Sequence, residues 1–243
     1  MAFPAVQGTG VVSSTNTAGT THTVDLPGSI QAGELLLIFF DKGSTAATFN
    51  ALTGWTELLD ENQGNGIAIM YRKADGTEGA TVSFTSSAST RSARIAYRIS
   101  GAADPAVTPP TLGTVGTGTS TDPNPGNCNP GVAKDYLWFA MFGAEGEELD
   151  DDTWVNSAPT DFGNLLMQAC GTAGVNLGGK IAVAYRTLNA SSLDAASFNQ
   201  DVSTAWRAYT VAVHPAPAAV PPPFLTRPFL RADRSRPVRT RRS

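Results

Sequence analysis

The chain is poor in the residues that catalysis and metal binding most often use. It has two histidines, His22 and His214, and two cysteines, Cys128 and Cys170, in 243 residues. No spacing marks a nucleophile elbow, a zinc pair, a redox dithiol or a phosphate loop. The expectation is a protein that is not an enzyme and has no catalytic residues, no cofactor and no resident metal, with both histidines at strand ends. Two cysteines make no disulfide framework. The start Met1-Ala-Phe-Pro has no basic segment followed by an apolar one, so no secretory leader is expected, and the thiols read as free. Charge is scarce at 16%. No apolar run approaches the roughly 18–20 residues that cross a bilayer, and the longest, 35–40, has the length of a buried strand. A membrane partner is therefore not expected. Amphipathic helical periodicity is missing.

What is abundant is Gly, Ser, Thr and Ala, between short stretches of period-2 alternation. These predict strands at 10–14, 21–26, 34–40, 55–59, 67–73, 80–84 and 93–100, then at 136–142, 165–170, 180–187, 195–199 and 206–214. Many short strands with Gly, Asn and Asp between them indicate an all-β fold, an antiparallel β-sandwich or jelly roll. The two parts of the series are related. A shift of 114 lays Ile67-Ala-Ile-Met-Tyr-Arg72 on Ile181-Ala-Val-Ala-Tyr-Arg186, and pairs Ser83-Phe84 with Ser197-Phe198 and Ser89-Thr90 with Ser203-Thr204. With a different offset, 34–40 resembles 135–142, and Trp55 matches Phe162. The expected organisation is one body over 1–214, with internally similar halves of about 1–102 and 103–214 closing on each other, and an extended arm over 215–243. In 67–72 the set Ile67, Ile69 and Tyr71 faces the core. The opposite set of small residues and arginine is expected to be solvated, with close approach by a neighbouring subunit as the alternative.

Charge is divided unevenly. The last twenty residues carry seven arginines and one acid, Asp233. Of the chain's 17 basic and 21 acidic residues, ten and twenty remain for the other 223. An acidic body thus ends in a basic arm, and Pro215, Pro217, Pro221, Pro222, Pro223 and Pro228 keep the join from being helical. Arginine-rich ends bind nucleic acid through phosphate charge. Here the arm has no lysine and few aromatics, and the acidic body would repel a polyanion, so nucleic acid is not the expected partner. Phe224, Leu225, Phe229 and Leu230 form two apolar beads among Arg227, Arg231, Arg234, Arg236, Arg239, Arg241 and Arg242, a composition suited to docking on protein. An acceptor is available in a second copy: Glu145, Glu147, Glu148, Asp150, Asp151 and Asp152 fall within eight positions. The planar guanidinium pairs bidentately with such carboxylates. Trp154 and Trp206, at loop or strand-start positions, are candidates for stacking on a host glycan. Trp55 and Trp138 read as core.

Four segments carry a resemblance. Gly33-Glu-Leu-Leu-Leu, Gly54-Trp-Thr-Glu-Leu, Tyr71-Arg-Lys-Ala-Asp-Gly-Thr-Glu78 and Ile95-Ala-Tyr-Arg-Ile-Ser-Gly101, closing on Thr204-Ala-Trp-Arg-Ala-Tyr-Thr-Val-Ala-Val-His-Pro215, resemble a β-sandwich family of structural proteins in tailed bacteriophages. The match spans about residues 8–215 and consists of strand and turn residues. It implies a jelly-roll-like virion protein, assembled in the host cytoplasm, and brings no functional residues with it. The resulting expectation is capsid decoration, or a minor capsid or head-fibre protein. It would be a homo-oligomer held to other virion proteins of capsid or tail through the arm. The alternative is a tail-fibre or receptor-binding domain that attaches to host glycans.

Overall fold

The computed structural model describes residues 2–43, 47–62, 66–146, 154–171 and 178–218. Among them there is no helix. Fourteen strands, all paired antiparallel, make two six-stranded sheets and a two-stranded ribbon. The first sheet takes β1 (Ala5–Val6), β2 (Val11–Asp25), β3 (Leu35–Lys42), β4 (Thr56–Asp60), β5 (Gly66–Lys73) and β6 (Thr81–Ser100). Its order is β1-β6-β3-β5-β4, with β2 also on β6. The second takes β7 (Thr111–Leu112), β8 (Gly116–Ser120), β9 (Lys134–Gly146), β11 (Gly163–Cys170), β12 (Gly178–Ala190) and β14 (Thr204–Val213). Read from the other edge, its order is β7-β14-β9-β12-β11, with β8 also on β14. Strands β10 (Val155–Ser157) and β13 (Asn199–Gln200) pair with each other.

The second sheet repeats the topology of the first strand for strand, and register carries the match to single residues. Phe39 pairs with Ile69 and Ile95, and Met141 pairs with Val183 and Tyr209. That gives an offset of 102 for β3 onto β9 and 114 for β5 onto β12 and β6 onto β14. A bulge interrupts β4 between Glu57 and Leu59, and another interrupts β11 between Gly163 and Leu166. β12 packs over β6 and β3, β11 over β6 and β2, and β9 over β3. The exits of the halves meet: Ala102 bridges Pro215, Ala103 N–H donates to His214 and Ala216 N–H donates to Gly101, both at 2.8 Å.

The sandwich core lies between the sheets. Leu35, Leu37, Phe39, Ile67, Ile69, Ile95, Tyr97 and Ile99 of the first meet Leu137, Phe139, Met141, Ile181, Val183, Tyr209, Val211 and Val213 of the second. Each sheet alone would leave this face in water, at about 25 cal/mol for every Å² of apolar area. The outer faces differ from the expectation of a solvated surface. Ala68, Met70, Ala182 and Ala184 are buried within the chain itself. Phe49 covers the first sheet. Trp154, Ala195 and Phe198 cover the second. Central strands covered on both faces read as continuous apolar runs, as 35–40 does.

The strands depart from expectation at several points, the first being that 10–14 and 21–26 run together as β2. Segments 80–84 and 93–100 belong to one twenty-residue strand, because the Ser/Thr stretch between them stays paired to β2 through shifts of register. Segment 195–199 is not a strand. It lies across the outer face, with Ala195 and Phe198 buried, and only Asn199 and Gln200 pair. The Thr-Gly alternation of 116–120 is a strand whose glycines make room: a Cβ at Gly118 would sit 2.6 Å from the Trp206 ring.

Candidate functional site

The arm begins where the two exits pair. Pro215 follows β14 at one end of the sandwich, held by the Ala102 bridge. His214 is packed there. Its Nε2 lies 2.8 Å from Thr111 Oγ1 and its ring meets Tyr136 edge-on at 5.1 Å. Burial, with Lys134 nearby, holds its pKa below the ordinary value. Nearby on the surface, Lys73 and Asp104 pair at 2.6 Å. The arm residues Phe224 to Arg242 lie outside the described residues.

The acidic run is rooted at the opposite end. β9 reaches Glu145 and Gly146 beside Thr204, the first residue of β14, whose hydroxyl donates to the Glu145 carbonyl at 3.2 Å. The roots are separated by the length of β14, about 30 Å at roughly 3.3 Å per residue. Glu145 is exposed at this mouth, and Glu147, Glu148, Asp150, Asp151 and Asp152 lie outside the described residues.

The two tryptophans do not present stacking faces. Trp154 is 2% exposed and Trp206 7%. Trp154 packs edge-on against Phe142 at 5.3 Å, with Lys180 Nζ 5.4 Å from its ring. Trp206 lies on Gly118 and donates Nε1–H to Ser120 Oγ at 3.1 Å. Both rings close the outer face of the second sheet, a task that alternation in the sequence does not separate from surface display. The aromatic nearer the surface is Trp55, half-buried beside a cleft of about 100 Å³ that it shares with Asn50, Ala51, Leu52, Glu57, Met70 and Phe84. Burial and the charge of Asp60 raise the pKa of Glu57.

Sequence reasoning missed a group of buried polar residues in the first half. Asp41 and Lys42, beyond the predicted strand end at Phe40, are both fully buried. Asp41 points between the sheets with neither carboxyl oxygen hydrogen-bonded among the described residues. It is the symmetry counterpart of Gly143, which it faces: a Cβ at Gly143 would lie 2.2 Å from its Oδ2. Burial raises its pKa well above the usual carboxylate value, in the direction that favours the neutral acid. Lys42 lies on the outer side and pairs with Asp60. His22 is buried between Ser92 Oγ at 2.8 Å and Ser86 Oγ at 2.9 Å, and burial lowers its pKa to about 4. Arg94 reaches the hydroxyls of Thr15 at 2.6 Å, Ser92 at 2.9 Å and Ser13 at 3.3 Å. The signal available was the pair Asp41-Lys42 continuing an apolar run with no turn residue before it.

Both thiols are free and buried, and burial raises Cys128 to about 11 and Cys170 to about 12, which keeps them protonated and unreactive. Among the described residues no cluster of three His, Cys, Asp or Glu side chains could hold a metal. No helix of the described residues is long and apolar enough to cross a membrane. Comparison with protein-family models, with curated proteins and with solved structures gives no match for this chain.

Proposed function

We propose that the chain is a structural protein of a bacteriophage particle, a β-sandwich displayed on the surface and attached through its C-terminal arm. The observation that carries this reading is the division of charge on a closed body. Seven arginines with two Phe-Leu beads follow a root at one end of the sandwich, and the rest of the chain is acidic. Arginine forks suit carboxylate pairing, and the beads suit apolar pockets, so the partner is protein. The resemblance of residues 8–215 to tailed-phage sandwich proteins supports the virion setting.

The acidic run is rooted at the other end, so an arm passing to the next copy makes a heterologous contact, of the kind that closes into rings. Truncation after Pro215 tests the attachment. The expected result is a folded body that no longer binds particles, and full decoration by the truncated body overturns the reading. The glycan-binding alternative loses Trp154 and Trp206 to the interior and rests on the Trp55 cleft. Glycan-array binding abolished by Trp55→Ala in a folded protein would favour it.

A further inference from the structure

Lys42 is a cation removed from water. Its side chain is fully buried, and Asp60, 4% exposed, meets it in direct contact. The two residues stand on β3 and β4, the strands that flank β5. The lysine crosses β5 where it carries Gly66 and Ala68, residues too small to block the way. The surroundings hold the pair in one geometry. Lys42 Nζ also donates to the carbonyls of Ala47 at 2.7 Å and Glu61 at 3.0 Å. The Phe49 N–H donates to Asp60 Oδ2 at 2.6 Å, and the Phe49 ring lies 5.4 Å from Nζ. The bulge in β4 sets Glu57, opposite Met70, on the same face as Asp60, opposite Ala68, and the charges of both Asp60 and Lys42 act on its carboxyl.

We propose that Lys42 and Asp60 condense within the folded chain to an isopeptide bond, tying β3 to β4. The ammonium passes one proton to the carboxylate, giving a neutral amine and a neutral acid. Nζ then attacks Asp60 Cγ. Negative charge gathers on Oδ2, where the Phe49 N–H already points, as an oxyanion donor must. Glu57 carries a proton from the nitrogen to Oδ1. The Cγ–Oδ1 bond breaks, water leaves and the amide remains. An ammonium and a carboxylate have become an amide and one water, with no change of oxidation state and no co-reactant. Holding nucleophile and acyl carbon together without solvent is what makes such an intramolecular step fast. The counterpart of Lys42 in the second half is Ala144, so one bond forms per chain. This inference does not depend on the virion reading.

The test is the intact mass of the folded, full-length chain. The expected value is the sequence mass less one water, with tandem spectra of a digest showing the Lys42 and Asp60 peptides joined. A folded chain at the full sequence mass overturns the proposal. So does a water loss that maps to Asp75-Gly76, where succinimide closure removes the same mass. Lys42→Ala and Asp60→Ala each restore the full mass. Glu57→Gln keeps both partners and slows the mass change at least tenfold after refolding; an unchanged rate overturns the role given to Glu57. The wild-type mass decides the main point even if a variant fails to fold.

Discussion

The two sheets share a topology and a register, yet their outer faces are built from different chemistry. Where the first half has Lys42, Ser92 and Arg94, the second has Ala144, Trp206 and Ala208 at the matching positions. The aromatic scaffold beneath is common to both. Phe40 meets Phe49 at 4.7 Å and Phe84 at 5.3 Å, and its counterpart Phe142 meets Trp154 at 5.3 Å and Phe198 at 4.8 Å. One half thus closes its outer face with a hydrogen-bonded polar group, the other with alanine and a larger ring. The difference teaches that the repeat fixes strand pairing and the aromatic trio, while the cover over each sheet is free to diverge. Between the sheets the halves must instead compensate: Asp41 requires glycine at 143, because two side chains do not fit there.

The sharpest break of this comparison is to separate the halves. Each exposes one side of the shared core when alone. Expressed singly, residues 1–102 and 103–218 should be insoluble or aggregated, while co-expression should recover a one-to-one complex with the far-ultraviolet spectrum of the body. A soluble, monomeric, cooperatively unfolding half would show that the inner face is not what holds the sheets together. Next in size are the covering rings. Phe49→Ala and Trp154→Ala should each cost about 3–5 kcal/mol in denaturant unfolding, as large-to-alanine changes in cores do. Loss of stability in one but not the other would end the equivalence of the two covers.

The outcome for these rings shows what the sequence could and could not reveal. The central strands were legible because burial on both faces writes continuous apolar runs, and the repeat because Ile67 to Arg72 and Ile181 to Arg186 share sequence as well as place. Trp55 and Phe162 were matched correctly, and register sets them in step beside matching bulges. The burial of Trp154 was not legible because a loop that folds back over a sheet has no periodicity to report it, and that of Trp206, at the start of β14, because the ring lies on Gly118, far back along the chain. Asp41 and Lys42 ended the predicted strand because charge normally marks a surface. Here burial favours the neutral form of one, and the other is paired, which composition cannot tell. β8 was missed because Gly118 within it makes room for Trp206, a residue far along the chain.

Two pH effects of opposite sign belong to the polar first half, and His214 in the second half shares the direction of the first of them. His22 holds a pKa of about 4 in the fold against an ordinary 6.5. The unfolded chain therefore binds the extra proton first, and stability falls as pH drops from about 6.5 towards 4, by about 3 kcal/mol at most. His22→Gln should flatten that part of the profile. For Asp41 the folded pKa is raised. Its contribution is complete below the ordinary carboxylate value and is lost as pH rises through the folded one. Asp41→Asn should match the wild type in acid and gain on it progressively towards alkaline pH, measured as the difference in Tm. A gap that does not change with pH would mean that Asp41 is ionised in the fold.

The smallest expected effect tests the most literal piece of the repeat. Arg72 lies 5.8 Å from the Trp55 ring centroid, and Arg186 lies 5.7 Å from that of Phe162, at positions related by the shift of 114. Arg72 also pairs with Asp75 at 3.1 Å and Glu78 at 3.2 Å, Arg186 with Asp161 at 3.3 Å. Partly exposed contacts of this kind are worth about 0.5–1 kcal/mol. Arg72→Ala and Arg186→Ala should each cost about that much, and Arg72 slightly more for its second acid. Replacing each arginine by lysine separates ring from charge. Lysine keeps the ion pairs but lacks the flat guanidinium that stacks on an aromatic face. If the ring contact is what the repeat preserves, lysine should recover less than half of the loss in both halves. If it recovers nearly all of it in one half alone, the two arginines share a position and not a role.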